Sequence, residues 1–424
     1  MKIKSVKAIE VLDSRGNPTV KATVLLEDGI KGTAMVPSGA STGSYEAVEL
    51  RDNDEGRFGG AGVLNAIKNI DEDIAKRIIG MESSEQENID KAMIELDGTE
   101  NKAKLGANAI LAVSLAVARA EASSEGVPLY KYLEIFRKEG SASMPIPMMN
   151  IMNGGKHANW ATDIQEYMIL PVGAKTEAQA VRMCAEVYGR LKKLLKDKGY
   201  NINVGDEGGF APAVSSNEEP FELMIQAIKN AGYEVGKDIV FGIDAAASEF
   251  YKNGKYELKK EGKIFSSGDL AEFYRDLMKK YPIVSFEDIF HEDDWESFAS
   301  FTAGLQGKAQ VVGDDLYVTN VKRLERGISE KASNSILIKL NQIGTLTETI
   351  AAIELARKNG MTAVISHRSG ETEDTFIADL SVAMGTGQIK SGAPARSERT
   401  AKYNRLIEIE SEDQDLKISD FPFK

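Results

Sequence analysis

Charged residues suited to metal binding and proton transfer follow short apolar segments in the second half of the chain. Each segment is long enough for one buried strand. The segments cover residues 202–204, 240–243, 283–286, 311–313, 336–338, 363–365 and 388–389, and the residues after them include Glu207, Asp244, Glu287, Asp314, Lys339, His367, Arg368 and Lys390. Buried parallel strands read as continuous apolar runs, and in a (β/α) barrel their carboxyl ends meet at the mouth. We therefore expect these side chains to share one pocket.

The acidic strand ends predict a cation site. Asp244, Glu287 and Asp314 would offer three hard oxygen ligands, which suits Mg²⁺ with positions left open for water or substrate. Zn²⁺ fits less well because it favours histidine and thiolate, and the chain has three histidines and one cysteine. Each acid could instead cap the following helix. Capping favours Ser, Thr and Asn equally, so acids in three consecutive units favour the metal interpretation.

The basic strand ends predict proton transfer and anion binding. Two functions are open for Lys339: it could pair with the carboxylates, or it could be a general base whose basicity burial and nearby cations lower. Arg368, Ser369 and Lys390 offer donors to an anionic substrate, and a phosphate suits them. The alternative is a solvated basic rim.

Three loops carry further candidates. Glu207 lies in the glycine-flanked segment 205–209, which brings a ligand close to the backbone or is a simple turn. The small-residue loop 37–43 is either a linker or a lid that brings Ser41 to a metal. His157 lies in a third loop, where a histidine is either structural or catalytic.

The elements that must position these residues fall into two regions. In the first, alternating residues predict strands at 3–11, 19–26 and 31–36 with a turn at Asp28 and Gly29, and helical periodicity covers 63–79, 85–96 and 107–122. In the second, apolar runs alternate with amphipathic helices such as 178–196, 270–280 and 346–358. The fold class is α/β: an N-terminal α+β domain, residues 1–137, with a three-stranded antiparallel meander plus helices, and a C-terminal (β/α)8 TIM-like barrel, residues 138–424. The polar segment 137–143 is the expected linker.

Composition limits the classes of partner. The net charge of -13 over 424 residues disfavours nucleic acid and anionic membrane. Cys184, the single cysteine, allows no internal disulfide and suits a reducing compartment. The first residues lack the apolar core of a signal peptide, and no stretch is long and apolar enough to span a bilayer. We therefore expect a cytoplasmic enzyme.

Taken together, these motifs resemble those of the enolase family, nearly from end to end. The matching segments are 14–19, 37–43, 105–109, 153–157, 163–166, 205–209, 246–250, 313–316, 339–345, 366–371 and 388–392. The tail, residues 393–399, is more similar to archaeal and bacterial members than to animal ones. The resemblance implies an enolase-type barrel with an early antiparallel strand. It also implies a hydro-lyase that reversibly dehydrates 2-phospho-D-glycerate to phosphoenolpyruvate, in glycolysis and gluconeogenesis.

The resemblance also implies a role for each site residue. Lys339 would take the C2 proton, Glu207 would protonate the departing C3 hydroxyl, and Glu166 would support Glu207. Two Mg²⁺ ions would stabilise the enediolate, the first held by Asp244, Glu287 and Asp314 and the second by Ser41 with substrate oxygens. The implied catalytic residues are Glu166, Glu207, Lys339 and His157, and the implied substrate contacts are Gln165, Glu166, His157, Lys339, His367, Arg368, Ser369 and Lys390.

Several alternatives stay open at this point. Another member of the superfamily, such as a racemase or cycloisomerase, would share the metal carboxylates and lack Arg368 and Lys390. A surface role is the other alternative, since enolases that end in lysine resemble plasminogen receptors and this chain ends at Lys424. That role would add the cell surface, or secretion without a signal peptide, as a second location. The resemblance further implies a homodimer or homo-octamer.

The chain departs from the usual family pattern at three places. Ile289 replaces a proline after the Glu-Asp pair, residues 159–162 replace a loop that more often carries Asp-Asn or Gly-Asn, and Phe376 stands where Thr is common. None of these changes removes a reactive group. They bear on the geometry after Glu287 and on how the loop after His157 closes.

Overall fold

An antiparallel sheet opens the N-terminal region. The computed structural model describes residues 1–40 and 43–423, apart from the side chain of His157. The sheet contains strands β1 (Ile3–Leu12), β2 (Pro18–Leu26) and β3 (Lys31–Met35), in the order β1-β2-β3. The turn between β2 and β3 includes Gly29 with a φ of 89°, a conformation that glycine adopts without strain. The predicted meander is confirmed.

Helices cover this sheet and are largely buried. They are α1 (Leu64–Asn69), α2 (Ala75–Ile78), α3 (Gln86–Asp97), α4 (Ala107–Ser124) and α5 (Leu129–Leu133), with a π-helical turn, Ile70–Ile74, joining α1 to α2. Helix α4 is buried on nearly every face, as its apolar composition predicts. It lies directly on β3, where a Cβ atom at Gly32 would stand 2.1 Å from the carbonyl oxygen of Ala116.

The C-terminal region is a closed barrel of eight strands. These are β4 (Ile146–Asn153), β5 (Glu166–Leu170), β6 (Val240–Asp244), β10 (Ile283–Glu287), β11 (Gln310–Gly313), β12 (Ser335–Ile338), β13 (Thr362–Ser366) and β14 (Gln388–Lys390), and a separate antiparallel sheet holds β7 (Tyr251–Lys252), β8 (Lys255–Leu258) and β9 (Lys263–Phe265). Around the barrel the order is β10-β11-β12-β13-β14-β4-β5-β6. Strand β5 runs antiparallel to both β4 and β6, while the other pairings are parallel. This reversal confirms the early antiparallel strand.

Helices surround the barrel: α6 (Glu177–Asp197), α7 (Glu219–Asn230), α8 (Ser267–Lys280), α9 (Trp295–Leu305), α10 (Val321–Glu330), α11 (Leu340–Ile343), α12 (Leu346–Lys358), α13 (Phe376–Met384) and α14 (Ser397–Glu412). Several of these helices begin at a residue whose side chain accepts a backbone amide of the first turn, such as Thr176 before α6, Ser266 before α8 and Thr345 before α12. Within the described ranges, no helix has the length and apolarity that crossing a membrane requires.

One predicted strand is wrong. Residues 202–204 form only an isolated bridge between Val204 and Phe210, and Val204 is exposed. The segment belongs to a loop that turns back on itself, with the amide of Gly205 donating to the carbonyl of Gly209 at 2.9 Å. A segment of three residues, with Asn203 between two apolar ones, is too short to distinguish a strand from such a turn.

The N-terminal region docks on the mouth of the barrel. Ser38 and Gly370 exchange two backbone hydrogen bonds, of 2.7 and 2.9 Å. Farther out, the guanidinium of Arg119 on α4 pairs with both carboxylate oxygens of Asp374, at 2.6 and 2.8 Å. These contacts place residues 37–40 beside the residues that follow β13.

Candidate active site

Three acidic side chains lie at the ends of consecutive barrel strands. Asp244 and Glu287 are the last residues of β6 and β10 and stand side by side in the register of the two strands. Asp314 comes directly after β11, the next strand around. All three are buried. Burial, then the charges of Asp244 and Asp314, raises the pKa of Glu287 well above its ordinary value.

Lys390 reaches these acids from the opposite wall. It ends β14, four strands away from β10 in the ring of eight. Its Nζ lies 2.7 Å from Glu287 Oε1, 3.3 Å from Glu166 Oε1 and 3.4 Å from Asp244 Oδ2. Burial opposes its charge, but these carboxylates outweigh burial and raise the pKa of Lys390 well above the usual value.

Lys339 is the second buried ammonium of the mouth. It follows β12 and makes an ion pair with Asp314, the acid at the end of the neighbouring strand. Burial lowers the pKa of Lys339 and Asp314 raises it, and the net shift is upward. Lys339 is therefore an ion-pair partner of Asp314 in this structure, and both of its predicted functions stay predictions.

Glu166 and Glu207 form a pair of carboxyl groups on the wall opposite Lys339. Because β5 is reversed, its first residue, Glu166, lies at the mouth, in register with Asp244. Burial, then the charge of Glu207, raises the pKa of Glu166 well above its ordinary value. Glu207 accepts a hydrogen bond from Asn150 Nδ2 at 2.9 Å. Both carboxyl groups are buried, and the upward shift means that Glu166 keeps a proton to a higher pH than a free carboxyl does.

Arg368 and Ser369 lie where the N-terminal region meets the barrel. The guanidinium of Arg368 donates to both oxygens of Glu46, at 2.8 and 3.1 Å, and to Asn341 Oδ1 at 2.9 Å. The hydroxyl of Ser369 accepts the amide of Ala40 at 2.7 Å. Donors for an anion therefore stand beside the loop from the other region.

These groups close around a small cavity of about 20 Å³ at the barrel mouth, room for about one water molecule. It is lined by Gln165, Glu166, Glu207, Asp244, Asp314, Lys339, His367, Arg368, Ser369 and Lys390, among others. Glu287 joins them through its ion pair with Lys390. A larger cleft, of about 520 Å³, lies between α3 and α12 and is lined by none of the predicted site residues. The candidate site is therefore identified by its lining residues and not by its volume.

Family comparisons agree with this arrangement. A model described as the enolase C-terminal TIM barrel domain matches residues 141–418, and one described as the enolase N-terminal domain matches residues 3–133. The chain belongs to the enolase family. It is therefore an enolase-type lyase that acts on a small-molecule substrate.

The acids of this enolase-family site can hold a cation. Glu287 Oε2 and Glu166 Oε2 are fully buried and have no hydrogen-bond partner among the described residues, so each has a lone pair to offer a metal ion. Carboxylate oxygens of Asp288, Asp314 and Asp315 also lie within 4.8 Å of one another. Both oxygens of Asp288 are already engaged, since they accept the amides of Asp314 and Asp315 at 2.8 Å. Asp288 therefore orients Asp314, and the donor set fits an oxygen-preferring ion.

Some predicted residues cannot be placed. Ser41, the expected second metal ligand, lies outside the described residues, as does Lys424. The side chain of His157 is also outside them. Gln165 is buried beside the acids, and within the part of the chain that the structure describes its Oε1 has no hydrogen-bond partner.

The structure adds site residues that sequence reasoning missed. Asp288 and Asp315 each follow a predicted metal ligand, so the doubled acids were a signal for them. Glu46 pairs with Arg368 and Asn150 binds Glu207, contacts between distant parts of the chain that no local pattern indicates. Arg399 lies in the segment 393–399, which resembles archaeal and bacterial family members, and it contacts His367.

Proposed function

We propose that this protein reversibly dehydrates 2-phospho-D-glycerate to phosphoenolpyruvate. The observation that carries the proposal is the separation of base and acid. Lys339, the base, follows β12, and Glu166, the carboxyl group that supports the acid Glu207, begins β5, four strands apart in either direction around the barrel. A substrate bound between these walls presents its C2 proton to one and its C3 hydroxyl to the other, as an elimination across opposite faces requires.

The proton transfers balance. Lys339, once neutral, takes the C2 proton on Nζ, and the electron pair of the broken C–H bond passes toward the substrate carboxylate. The protonated carboxyl of Glu207 then gives its proton to the C3 hydroxyl, the C3–O bond breaks, and water leaves as the C2–C3 double bond forms. Glu166 would support this step, because a second carboxyl group beside Glu207 in a buried site favours keeping a proton on one of the two.

The proposal includes two Mg²⁺ ions. Asp244, Glu287 and Asp314 would hold the first, and Ser41, with substrate oxygens, would hold the second. Bound there, the ions supply positive charge that stabilises the negative charge developing on the substrate carboxylate and offsets Asp314, which raises the pKa of Lys339.

Substrate binding is assigned to the remaining residues. Arg368 and Ser369 would hold the phosphate, because a guanidinium that pairs with both oxygens of Glu46 has the geometry to pair with two phosphate oxygens. Lys390, Gln165 and His157 would contact the rest of the substrate.

Organisation in the cell is part of the proposal too. We place the domain boundary between residues 137 and 138, at the start of a segment, 137–143, without helix or strand. A cytoplasmic, magnesium-dependent homo-oligomer acting in glycolysis is the form that the family membership supports.

One assay tests the reaction. The conjugated product absorbs in the ultraviolet and the substrate does not, so absorbance should rise when the purified protein receives 2-phospho-D-glycerate and Mg²⁺. Absence of that rise, together with exchange of an α-proton in a non-phosphorylated acid, would instead indicate a racemase or cycloisomerase.

A further inference from the structure

Arg399 links two parts of the site, the residues after β13 and the loop that carries Glu207. It lies in the first turn of α14 and is completely buried. One terminal nitrogen, NH1, lies 2.6 Å from His367 Nδ1 and donates to the carbonyl of Arg368 at 2.6 Å. The other, NH2, donates to the carbonyls of Ser369 at 2.6 Å and Asp206 at 3.1 Å. One guanidinium thus binds both the end of β13 and the loop that carries Glu207.

The chemistry of these groups determines the tautomer of His367. A guanidinium has only donors, so His367 Nδ1 must accept and carries no proton. The ring is neutral, because burial above all holds the pKa of His367 well below its ordinary value. A neutral imidazole with a bare Nδ1 has its proton on Nε2. That nitrogen is buried, makes no hydrogen bond with any described residue, and lies 3.6 Å from Glu207 Oε1, just beyond hydrogen-bond distance.

A glycine allows this close assembly. Gly392 has a φ of 76°, and a Cβ atom there would stand 2.6 Å from the carbonyl oxygen of Glu207. The same atom would lie 3.1 Å from Arg399 Cδ and 3.2 Å from His367 Cε1. The neighbouring amide of Ala393 donates to the Glu207 carbonyl at 2.9 Å. Glu207, His367 and Arg399 therefore converge on one position of the backbone.

We propose that Arg399 is a positioning residue that selects the Nε2–H tautomer of His367 and so presents a proton donor to the carboxyl of Glu207. A hydrogen bond to the charged form of a carboxyl stabilises that form. When Glu207 gives its proton to the C3 hydroxyl, it becomes a carboxylate. The Nε2–H of His367 then donates a hydrogen bond to that carboxylate. The role in catalysis rests on the proposed dehydration, whereas the tautomer is a property of the free protein.

The tautomer can be observed directly. In protein labelled with ¹⁵N in its imidazole rings, long-range ¹H–¹⁵N spectra distinguish a protonated nitrogen from a bare one. The chain has three histidines, so a His367→Gln variant assigns the signal. We expect a protonated Nε2 and a bare Nδ1 from pH 6 to 8 in the wild type. We expect a proton on Nδ1 in Arg399→Met, which removes every donor.

Kinetics then test the consequence. We expect Arg399→Met to lower kcat by about 10- to 100-fold, the usual effect of losing the partner that orients a reactive group, while KM changes far less. Exchange of the C2 proton should continue, since Lys339 lies on the other wall. Arg399→Lys keeps one donor group, an ammonium, and should recover part of kcat together with the wild-type tautomer.

A matched control lies on the same helix. Arg405 is also an arginine of α14, but the described residues that its guanidinium binds are Asp379, Glu408 and Glu412, none of them a site residue. Arg405→Gln should leave both the His367 signal and kcat unchanged. A bare Nε2 in the wild type, or a wild-type tautomer in Arg399→Met, would overturn the proposal. If the wild type fails to dehydrate 2-phospho-D-glycerate, the proposed function fails, and the spectra still decide the tautomer.

Discussion

Asp90 should make the stability of this protein depend on pH. It lies on α3, fully buried, and binds the start of α12 in the barrel region. Its Oδ2 accepts the amide of Thr347 at 3.0 Å and the hydroxyl of Thr347 at 2.6 Å, and its Oδ1 accepts Gln86 Nε2 at 3.0 Å. Burial outweighs these hydrogen bonds and raises the pKa of Asp90 from 3.8 to about 6.

The sign and size follow from proton linkage. The folded protein binds the Asp90 proton more tightly than the unfolded chain, so protonation favours folding. The stabilisation that the Asp90 proton gives the folded protein is complete below pH 3.8 and is lost as the pH rises through about 6. For the shift of Asp90 the loss in free energy of unfolding is about 1.6 kcal/mol at pH 5 and about 3 kcal/mol at pH 7.

The perturbation is Asp90→Asn, which cannot ionise. Its hydrogen bonds to Thr347 and Gln86 change by an amount that does not depend on pH. The difference in free energy of unfolding between the variant and wild type should therefore shift by about 1.3 kcal/mol in favour of the variant between pH 5 and 7. The altered hydrogen bonds add a constant difference that does not affect this shift. Urea unfolding followed by circular dichroism at several pH values measures this difference. A Tm series gives an independent check.

A second variant tests the cause of the shift. Thr347→Val removes the hydroxyl bond that lowers the pKa of Asp90, so the pH range over which stability is lost should move upward. A stability difference between Asp90→Asn and wild type that is constant from pH 5 to 7 would refute the reasoning. Asp90 would then titrate as an ordinary carboxyl.

Three other predictions concern the site. Lys339→Ala should abolish exchange of the C2 proton with solvent, while Glu207→Gln should permit exchange and block dehydration; equal loss of exchange in both variants would contradict this division. Arg368→Lys should raise KM for the phosphorylated substrate by about 10-fold or more, with less change in kcat, because an ammonium cannot pair with two oxygens at once; unchanged inhibition by inorganic phosphate would argue against it. Gly392→Ala should lower stability by about 1–3 kcal/mol in urea unfolding, because its φ of 76° and its contacts leave no room for a methyl group.

Periodicity predicted much of the fold. The helix predicted at 107–122 is Ala107–Ser124, and that at 346–358 is Leu346–Lys358. Asp244 and Glu287 were predicted to follow two strands and are their last residues. These predictions succeeded because buried strands and amphipathic helices have spacings that are local to the sequence. The assembly of strand ends at one mouth followed from the geometry of barrels.

Strand direction and distant contacts could not be predicted in this way. The run Glu166–Leu170 has the same apolar pattern whether it is parallel or antiparallel, so only the family resemblance indicated its reversal. Arg399 reaches His367 from 32 residues away, and Glu46 reaches Arg368 from 322 residues away. Such pairs depend on how whole domains pack.

Charge balance at the mouth connects folding with chemistry. Buried acids at consecutive strand ends would repel one another, and an unpaired buried charge costs several kcal/mol. In the free protein Lys390 compensates Glu287 and Lys339 compensates Asp314. A cation bound to the same acids would take over that compensation, so Lys339 would lose the partner that raises its pKa. Pairing and proton abstraction, the two functions considered for Lys339, would then be successive states of one side chain and would not exclude each other.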